Sequence, residues 1–122
     1  MSKIALTVAA PDLDAELDPR FGRAAFFLLI DPETLAWEGL ANPAREARGG
    51  AGVQTAQFLA EHEADAVVSG DFGPNAQQVL QTAGIAMYIY ESCETARQAL
   101  QRFKAGELPA VDSPRQRPGR SD

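Results

Sequence analysis

The first third of the chain carries its hydrophobic positions in short runs typical of strands. Ile4, Leu6 and Val8 alternate with other residues, which predicts a strand with one buried face. Residues 24–30 (AAFFLLI) are continuously apolar, and this pattern favours a central strand covered on both faces. The turn residues DPET then lead into a third strand, LAWEGLA. Because the connection is so short, we expect the second and third strands to be antiparallel neighbours.

The remainder of the chain alternates helical stripes with short apolar strands. VQTAQFLAEHEA predicts a helix, and DAVVS and IAMYIY predict strands. Gly84 and Gly106 are placed to end the second and third helices. The helical spacing i, i+3, i+4, i+7 occurs twice, at Ala76, Val79, Leu80 and Ala83 and at Ala96, Ala99, Leu100 and Phe103. The predicted order is βββαβαβα, an α/β fold.

A change of composition after Leu108 sets the expected domain boundary. Residues 109–122 (PAVDSPRQRPGRSD) are rich in proline and arginine and hold too few apolar residues to build a core. We therefore expect one domain over residues 1–108, enough for a single core, and a disordered tail over residues 109–122. A basic docking motif in the tail is the alternative interpretation.

Composition excludes several classes of function. The formal net charge of −6 disfavours non-specific binding to nucleic acid. No run approaches 18 apolar residues, so we expect no membrane span. The amino terminus predicts a first strand and not a signal peptide, which favours the cytoplasm. The single Cys93 and single His62 are too few for a closed zinc site or a cluster held by four thiolates. Any metal would need carboxylate ligands or ligands from a second chain, or would arrive inside a preassembled ligand.

The topology predicts which loops share an edge of the sheet. If the second strand is antiparallel to the first and third, and the later strands are parallel to the first, four segments lie beyond the same edge. They are residues 10–23, 42–52, 70–75 and 91–93. Open α/β sheets bind ligands at such an edge.

Three of these segments lead directly into helices. The amino terminus of a helix presents unpaired N–H groups and a partial positive charge. Ser92 is the expected N-cap of the third helix. The start of the first helix is expected at Gly49, Gly50 and Gly52. The start of the second is expected at Gly73, Pro74 and Asn75. We therefore predict an anion site. Ordinary turn chemistry is the alternative, since neither start matches a phosphate loop or a dinucleotide motif.

Three stretches together resemble the nitrogenase iron–molybdenum cofactor biosynthesis family, which includes NifX-like and NafY-like carriers and the C-terminal domain of some NifB proteins. They are DPRFGRAAFFLLID, the stretch from GGAGVQTA through GPNAQQVLQTAGIAMY, and TARQALQRFKAGEL. The resemblance covers about residues 3–108. It implies a ribonuclease-H-like mixed sheet, an iron–sulfur or iron–molybdenum cofactor or precursor as cargo, and nitrogenase cofactor assembly proteins as partners. The family's motif positions fall on Arg23, Gly50, Gly52, Gly70, Gly73, Pro74 and Asn75.

One departure from the family concerns metal ligation. Several members carry a histidine just before the Gly-x-Gly element, where this chain has Arg48 and Gly49. An arginine attracts a negative cluster but does not ligate iron, and His62 lies too late in the first helix to replace the histidine. Cys93 is the remaining candidate metal ligand, with a thiol pKa lowered by the start of the third helix. A homodimer could bring two such thiols together.

Three functions stay open at this point. The first is a non-enzymatic carrier that holds an anionic cluster through backbone N–H groups and through Arg20, Arg23, Arg45 and Arg48. The second is a protein-interaction or small-anion-binding regulatory module of the same fold. The third, a metal-dependent nuclease, is disfavoured because the first strand presents Thr7 and not aspartate at its centre. Asp12, Asp14, Glu16 and Asp18, the acidic residues after the first strand, are interpreted as part of a solvated loop.

Overall fold

The computed structural model describes residues 3–111, which form three helices and five strands in the predicted order. The elements are β1 (Ile4–Val8), β2 (Phe26–Ile30), β3 (Trp37–Ala41), α1 (Ala51–Glu61), β4 (Ala66–Ser69), α2 (Pro74–Ala83), β5 (Ala86–Ile89) and α3 (Ala96–Lys104).

The five strands form one mixed sheet in the order β3-β2-β1-β4-β5. β2 is antiparallel to both neighbours, with Leu6 opposite Leu28 and Leu28 opposite Gly39. β4 is parallel to β1, and β5 is parallel to β4. The predicted ribonuclease-H-like α/β fold is therefore confirmed, and the carboxyl ends of β1, β3, β4 and β5 lie at the same edge.

Helices cover both faces of the sheet. Ile4, Leu6 and Val8 pack with α3 in one core cluster, while Ala5 packs with α1 and α2 in a second cluster on the opposite face. All five residues of β1 are buried. The prediction of a half-buried first strand was wrong, because alternation in the sequence cannot reveal that Ala5 packs with α1 and α2 and that the segment containing Asp18 covers Thr7.

Glycine ends two helices largely as predicted. Gly84 is the C-cap of α2 at φ 77°, in the left-handed region that favours glycine. Gly106, at φ 73°, follows the C-cap Ala105 of α3. The stripe on α2 is narrower than predicted, since Ala83 is exposed.

Ordered structure continues past the predicted boundary at Leu108. The Ile89 N–H donates to the Pro109 carbonyl, and the Val111 N–H donates to the Met87 carbonyl. Residues 109–111 thus pair with the outer edge of β5, and Leu108 is buried. The rest of the predicted tail, residues 112–122, lies outside the described residues.

Between residues 3 and 111, none of the helices combines the length and apolar character that crossing a bilayer requires.

Candidate functional site

A cleft of about 350 Å³ opens at the carboxyl edge of the sheet, between the starts of α1 and α2. Three chain segments line it: residues 20–23, 50–53 and 71–76 without Phe72. These are parts of three of the four loops that the topology places at this edge.

The loop that leads into α1 is held by a buried asparagine. Asn42 Nδ2 donates to the carbonyl oxygens of Gly22 and Ala24, and Asn42 Oδ1 accepts from the Ala44 N–H and the Thr55 hydroxyl. Thr55 also donates to the Gly22 carbonyl. Every polar atom of this amide is thereby used inside the protein, and the segment after β3, α1 and the Gly22 loop are fixed to one another.

Two glycines allow the cleft walls to approach closely. A Cβ on Gly22 would lie 2.8 Å from the Gly52 nitrogen, which is closer than real Cβ atoms come. A Cβ on Gly52 would lie 3.1 Å from the Ala76 Cβ, so the first turns of α1 and α2 are in near contact. Side chains at either position would push the two helix starts apart.

The amino termini of α1 and α2 both reach this cleft with unused N–H groups. Their N-caps, Gly50 and Gly73, provide no side-chain acceptor, and neither first turn contains an acidic residue. Within residues 3–111 no protein acceptor binds the N–H groups of Ala51, Gly52, Val53, Asn75 and Ala76. The cleft therefore combines several free donors with two positive helix ends.

The aromatic ring of Phe21 lines the cleft. Phe21 is buried and lies with its ring centroid 5.2 Å from that of Phe72 and 6.0 Å from that of Phe27. This packing joins the loop after β1 to the loop after β4. Phe21 thereby adds an apolar side chain to a cleft that also contains polar helix ends.

Two arginines at the cleft are each bound to the protein. Arg20 forms a salt bridge with Asp18, with Nε 3.2 Å from Oδ1, and this contact raises the Arg20 pKa. Arg23 Nη1 donates to the carbonyl oxygens of Arg45 (3.1 Å) and Ala47 (2.6 Å). Arg23 therefore fixes the loop before α1 in addition to supplying charge.

Acidic groups near the cleft differ from the expected solvated loop. Asp18 is buried, with its carboxylate accepting from the Arg20 N–H and guanidinium. The prediction of full solvation was wrong for this residue because Thr7 and Arg20 enclose it: the Thr7 hydroxyl donates to the Asp18 carbonyl at 2.7 Å. Asp71 lines the cleft and is exposed.

The structure brings six of the predicted site residues together. Those that line the cleft are Arg23, Gly50, Gly52, Gly73, Pro74 and Asn75. Arg48 and Gly49 lie in the exposed loop before α1 and do not line it. Gly70 lies beneath the rim, where a Cβ would come within 2.9 Å of the Pro19 Cα. Its position therefore serves packing between loops.

The third helix does not contribute a free amino terminus. Its N-cap is Thr95, whose hydroxyl accepts from the Gln98 N–H, so the prediction of Ser92 was wrong. The N–H groups of Ala96 and Arg97 donate to the carbonyl oxygens of Ala15 and Leu13. The segment after β1 folds onto this helix start and occupies its donors.

Cys93 lies outside the cleft. It lines a separate depression with Ser92, Gln98, Gln101 and Arg102. Burial raises the pKa of its thiol, and the Arg102 charge opposes this shift only in part. The expected lowering was wrong because α3 begins three residues later and its donors are already used. The role of Cys93 as a metal ligand stays a prediction.

The described residues hold no group of three or more His, Cys, Asp or Glu side chains that could bind a metal ion. A guest in the cleft would therefore meet N–H donors and guanidinium groups and not a set of metal ligands.

Sequence reasoning missed Gly22, Phe21 and Asn42 as parts of this site. The Phe-Gly-Arg-Ala motif contains the first two, but no local signal indicates that Gly22 contacts Gly52. Asn42 follows a strand and precedes a proline, a position typical of a turn. Only the tertiary structure reveals that its amide joins three segments.

The fold and cleft define a small mixed α/β protein with a ligand-sized, donor-lined depression at the carboxyl edge of its sheet. A sequence model of the dinitrogenase iron–molybdenum cofactor family matches residues 2–106, so the chain belongs to that family. This membership, which the sequence motifs had predicted, is confirmed and places the chain among cofactor-related binding proteins.

Two solved structures and one further relative are similar over most of the chain. The apo form of the orange protein from Desulfovibrio gigas is 42% identical with a TM-score of 0.88, over 95% of this chain and 98% of that one. A candidate NifB protein from Thermotoga is 26% identical with a TM-score of 0.79, over 95% and 100%. An uncharacterised protein from Methanocaldococcus jannaschii is 29% identical over 86 residues, 68% of this chain and 73% of its own length.

Proposed function

We propose that this protein is a non-enzymatic carrier for an iron–sulfur or iron–molybdenum cofactor, or a precursor of one, in nitrogenase cofactor assembly. The cargo binds in the cleft between α1 and α2. The observation that carries this proposal is the convergence of two uncapped helix amino termini on one depression. Membership of the cofactor family supplies the class of cargo.

The donor set favours a preassembled cluster over a bare metal ion. N–H groups and guanidinium groups cannot coordinate a metal, but they stabilise the negative sulfur or oxygen atoms on the surface of a finished cluster. Gly50 and Gly73 leave the backbone accessible, since a Cβ on either would meet nothing within 4 Å. The protein then protects the cluster without replacing its own ligands, and release needs no metal–protein bond to break.

The proposed binding residues have distinct roles. Gly52 and Asn75 present backbone N–H groups, and Gly50 and Gly73 are N-caps without a side chain that could cover the helix starts. Pro74 lacks an N–H but starts α2 with a suitable φ. Arg20 and Arg23 add positive charge. Arg48, in the exposed loop before α1, attracts cargo through its positive charge without touching it, and Gly49 lies beside it in the same loop. Gly70 supports the loop from below.

Anaerobic gel filtration tests the carrier function directly. Isolated iron–molybdenum cofactor is mixed with the protein, and the protein fractions are assayed for iron and molybdenum. We expect co-elution, with molybdate and sulfate competing weakly because they fill less of the cleft. Complete separation of cofactor and protein would overturn the proposal. Retention of small anions alone would support a small-anion regulatory module instead.

Transfer provides the second measurement. Loaded protein is mixed with a nitrogenase lacking its cofactor, and recovery of nitrogenase activity is followed. A carrier delivers its cargo, whereas a storage protein or an adventitious binder holds it.

A further inference from the structure

The two outer edges of the sheet differ in a way that the carrier function does not explain. Residues 109–111 pair with β5 and occupy its outer edge. β3 forms the opposite edge, and four of its five residues are exposed. Within residues 3–111, no segment pairs with the outer side of β3. Unpaired edge strands offer a template for a further strand.

The hydrogen-bond pattern identifies the open groups on β3. The Asp31 N–H donates to the Ala36 carbonyl, and the Asn42 N–H donates to the Ala25 carbonyl. Residues 36 and 42 therefore face β2, and by antiparallel alternation so do residues 38 and 40. The N–H and C=O groups of Trp37, Gly39 and Ala41 consequently point away from the sheet.

We infer that β3 pairs with β3 of a second copy of this chain, antiparallel and about a two-fold axis at Gly39. Trp37 of one copy then lies opposite Ala41 of the other, and about six N–H···O bonds join the two strands. Such an interface is self-complementary, as two-fold dimers require. The five-stranded sheets of the two copies then form one continuous sheet across the interface.

The side chains at this edge fit that register. Trp37 is 40% exposed and the nearby Leu35 is 49% exposed, the large hydrophobic residues most accessible in the described chain. In the two-fold arrangement the indole meets the small Ala41 of the other copy. Pro11 covers Gly39 on the same face, where a Cβ would lie 2.5 Å from the Pro11 Cβ, and extends the apolar surface. Pairing thus removes an exposed tryptophan from water.

The distribution of charge at the β3 edge favours pairing with a second copy of this chain over pairing with an unrelated strand. Arg45 and Arg48 follow the carboxyl end of β3, are exposed, and have no carboxylate partner among residues 3–111. The exposed Glu46 lies between them in the sequence, so these three side chains leave one net positive charge at this end. Glu33 and Glu38 are exposed at the other end, with Lys3 as a partial counter-charge. An antiparallel two-fold arrangement brings the basic end of one copy to the acidic end of the other at both ends of the interface.

Sedimentation velocity and tryptophan fluorescence test the dimer together. Trp37 is the protein's only tryptophan, so its emission reports this surface alone. Over protein concentrations from about 5 µM to about 500 µM, a range that covers weak to moderate affinity, we expect a shift from monomer to dimer. The emission should move to shorter wavelength over the same range. A monomer throughout, with unchanged emission, would overturn the inference.

Charge reversal distinguishes this interface from any other dimer. Glu33→Arg and the double change Arg45→Glu, Arg48→Glu should each weaken self-association at least tenfold, because like charges then meet. An equimolar mixture of the two variants should dimerise again, because opposite charges meet at both ends.

Glu61→Arg is the matched control for Glu33→Arg, because it changes the charge by the same amount at an exposed position on α1, and it should dimerise as the unmodified chain does. Far-ultraviolet circular dichroism checks that each variant is folded. If the charge reversals leave the dimer affinity unchanged, or if the mixture of variants stays monomeric, the contact lies elsewhere and the inference is overturned. Because cofactor binding is assayed separately, this result is independent of the carrier proposal.

Discussion

Asn75→Asp is the substitution that separates cargo binding from fold stability most clearly. Asn75 lines the cleft as the second residue of α2, behind Pro74, and is exposed. Aspartate has nearly the same shape as asparagine but adds a negative charge at a helix amino terminus that lacks acidic residues. The charge stabilises the helix and repels an anionic guest, so the two effects have opposite signs.

The size of the cleft sets the magnitude of the effect on binding. A volume of 350 Å³ corresponds to a sphere of radius about 4.4 Å, which places a wall carboxylate about 6 Å from the centre of the cargo. Repulsion per unit of cargo charge is then about 0.7 kcal/mol at a dielectric constant of 80 and about 3 kcal/mol at 20. Since Asn75 is exposed, the lower part of this range applies, and the Kd should rise about 3- to 10-fold per unit charge.

The effect on stability follows from the helix dipole. An acidic residue in the first turn contributes about 0.3–1 kcal/mol, which raises the Tm by about 1–5 °C in a domain of this size. Differential scanning fluorimetry measures this shift, and anaerobic equilibrium dialysis with iron–molybdenum cofactor measures the Kd. Gln78→Glu is the matched control, because Gln78 is exposed on the same helix but does not line the cleft.

If Asn75→Asp binds cofactor as tightly as the unmodified protein does while its Tm rises, the proposed site is contradicted. The end of α2 would then not face the cargo. Equal weakening by Asn75→Asp and Gln78→Glu would indicate a general effect of net charge and would also contradict the proposed site.

Further predictions concern other parts of the molecule. Gly22→Ala should lower the free energy of unfolding by about 1–3 kcal/mol in chemical denaturation, because its Cβ would meet the start of α1 at Gly52; Gly49→Ala, with open space around it, should stay within about 0.5 kcal/mol. Asp71→Asn should tighten cofactor binding about 2- to 5-fold in equilibrium dialysis, because it removes a negative charge from the cleft wall; weaker binding would instead give Asp71 a positive role. Cys93→Ser should leave cofactor retention on gel filtration unchanged. Burial raises the Cys93 pKa, so its alkylation by iodoacetamide at pH 8 should be slower than that of free cysteine and should accelerate as the pH rises; rapid alkylation at pH 7 would contradict this environment.

The outline of the fold could be predicted because each strand and helix has a local pattern. The apolar run at 26–30, the helical stripes that include Leu80 on α2 and Leu100 on α3, and the glycine that ends α2 depend on neighbours only a few residues away. The order βββαβαβα then limits the possible sheet, since short connections favour adjacent strands and crossovers are right-handed. This is also why the loops carrying Gly50 and Gly73 could be placed at one edge before the structure was known.

Predictions about individual donors and pKa values succeeded less often. Ser92 and Cys93 were placed at the start of α3 from sequence spacing, but the helix begins at Ala96 and the loop carrying Leu13 occupies its donors. Such competition arises between segments about 80 residues apart in sequence. A short stretch of sequence therefore does not contain the information needed to predict this competition for donors.

Local residue patterns are sufficient to predict the succession of elements, the family and the two glycine-led helix starts, because backbone conformation and hydrophobic periodicity are local properties. Tertiary structure alone decided which helix ends keep free N–H groups, that Asn42 joins three segments, and that one edge of the sheet is covered while the other is open. These features depend on which distant groups satisfy each hydrogen-bond donor and on how closely two backbones approach, and both become fixed only when the chain packs.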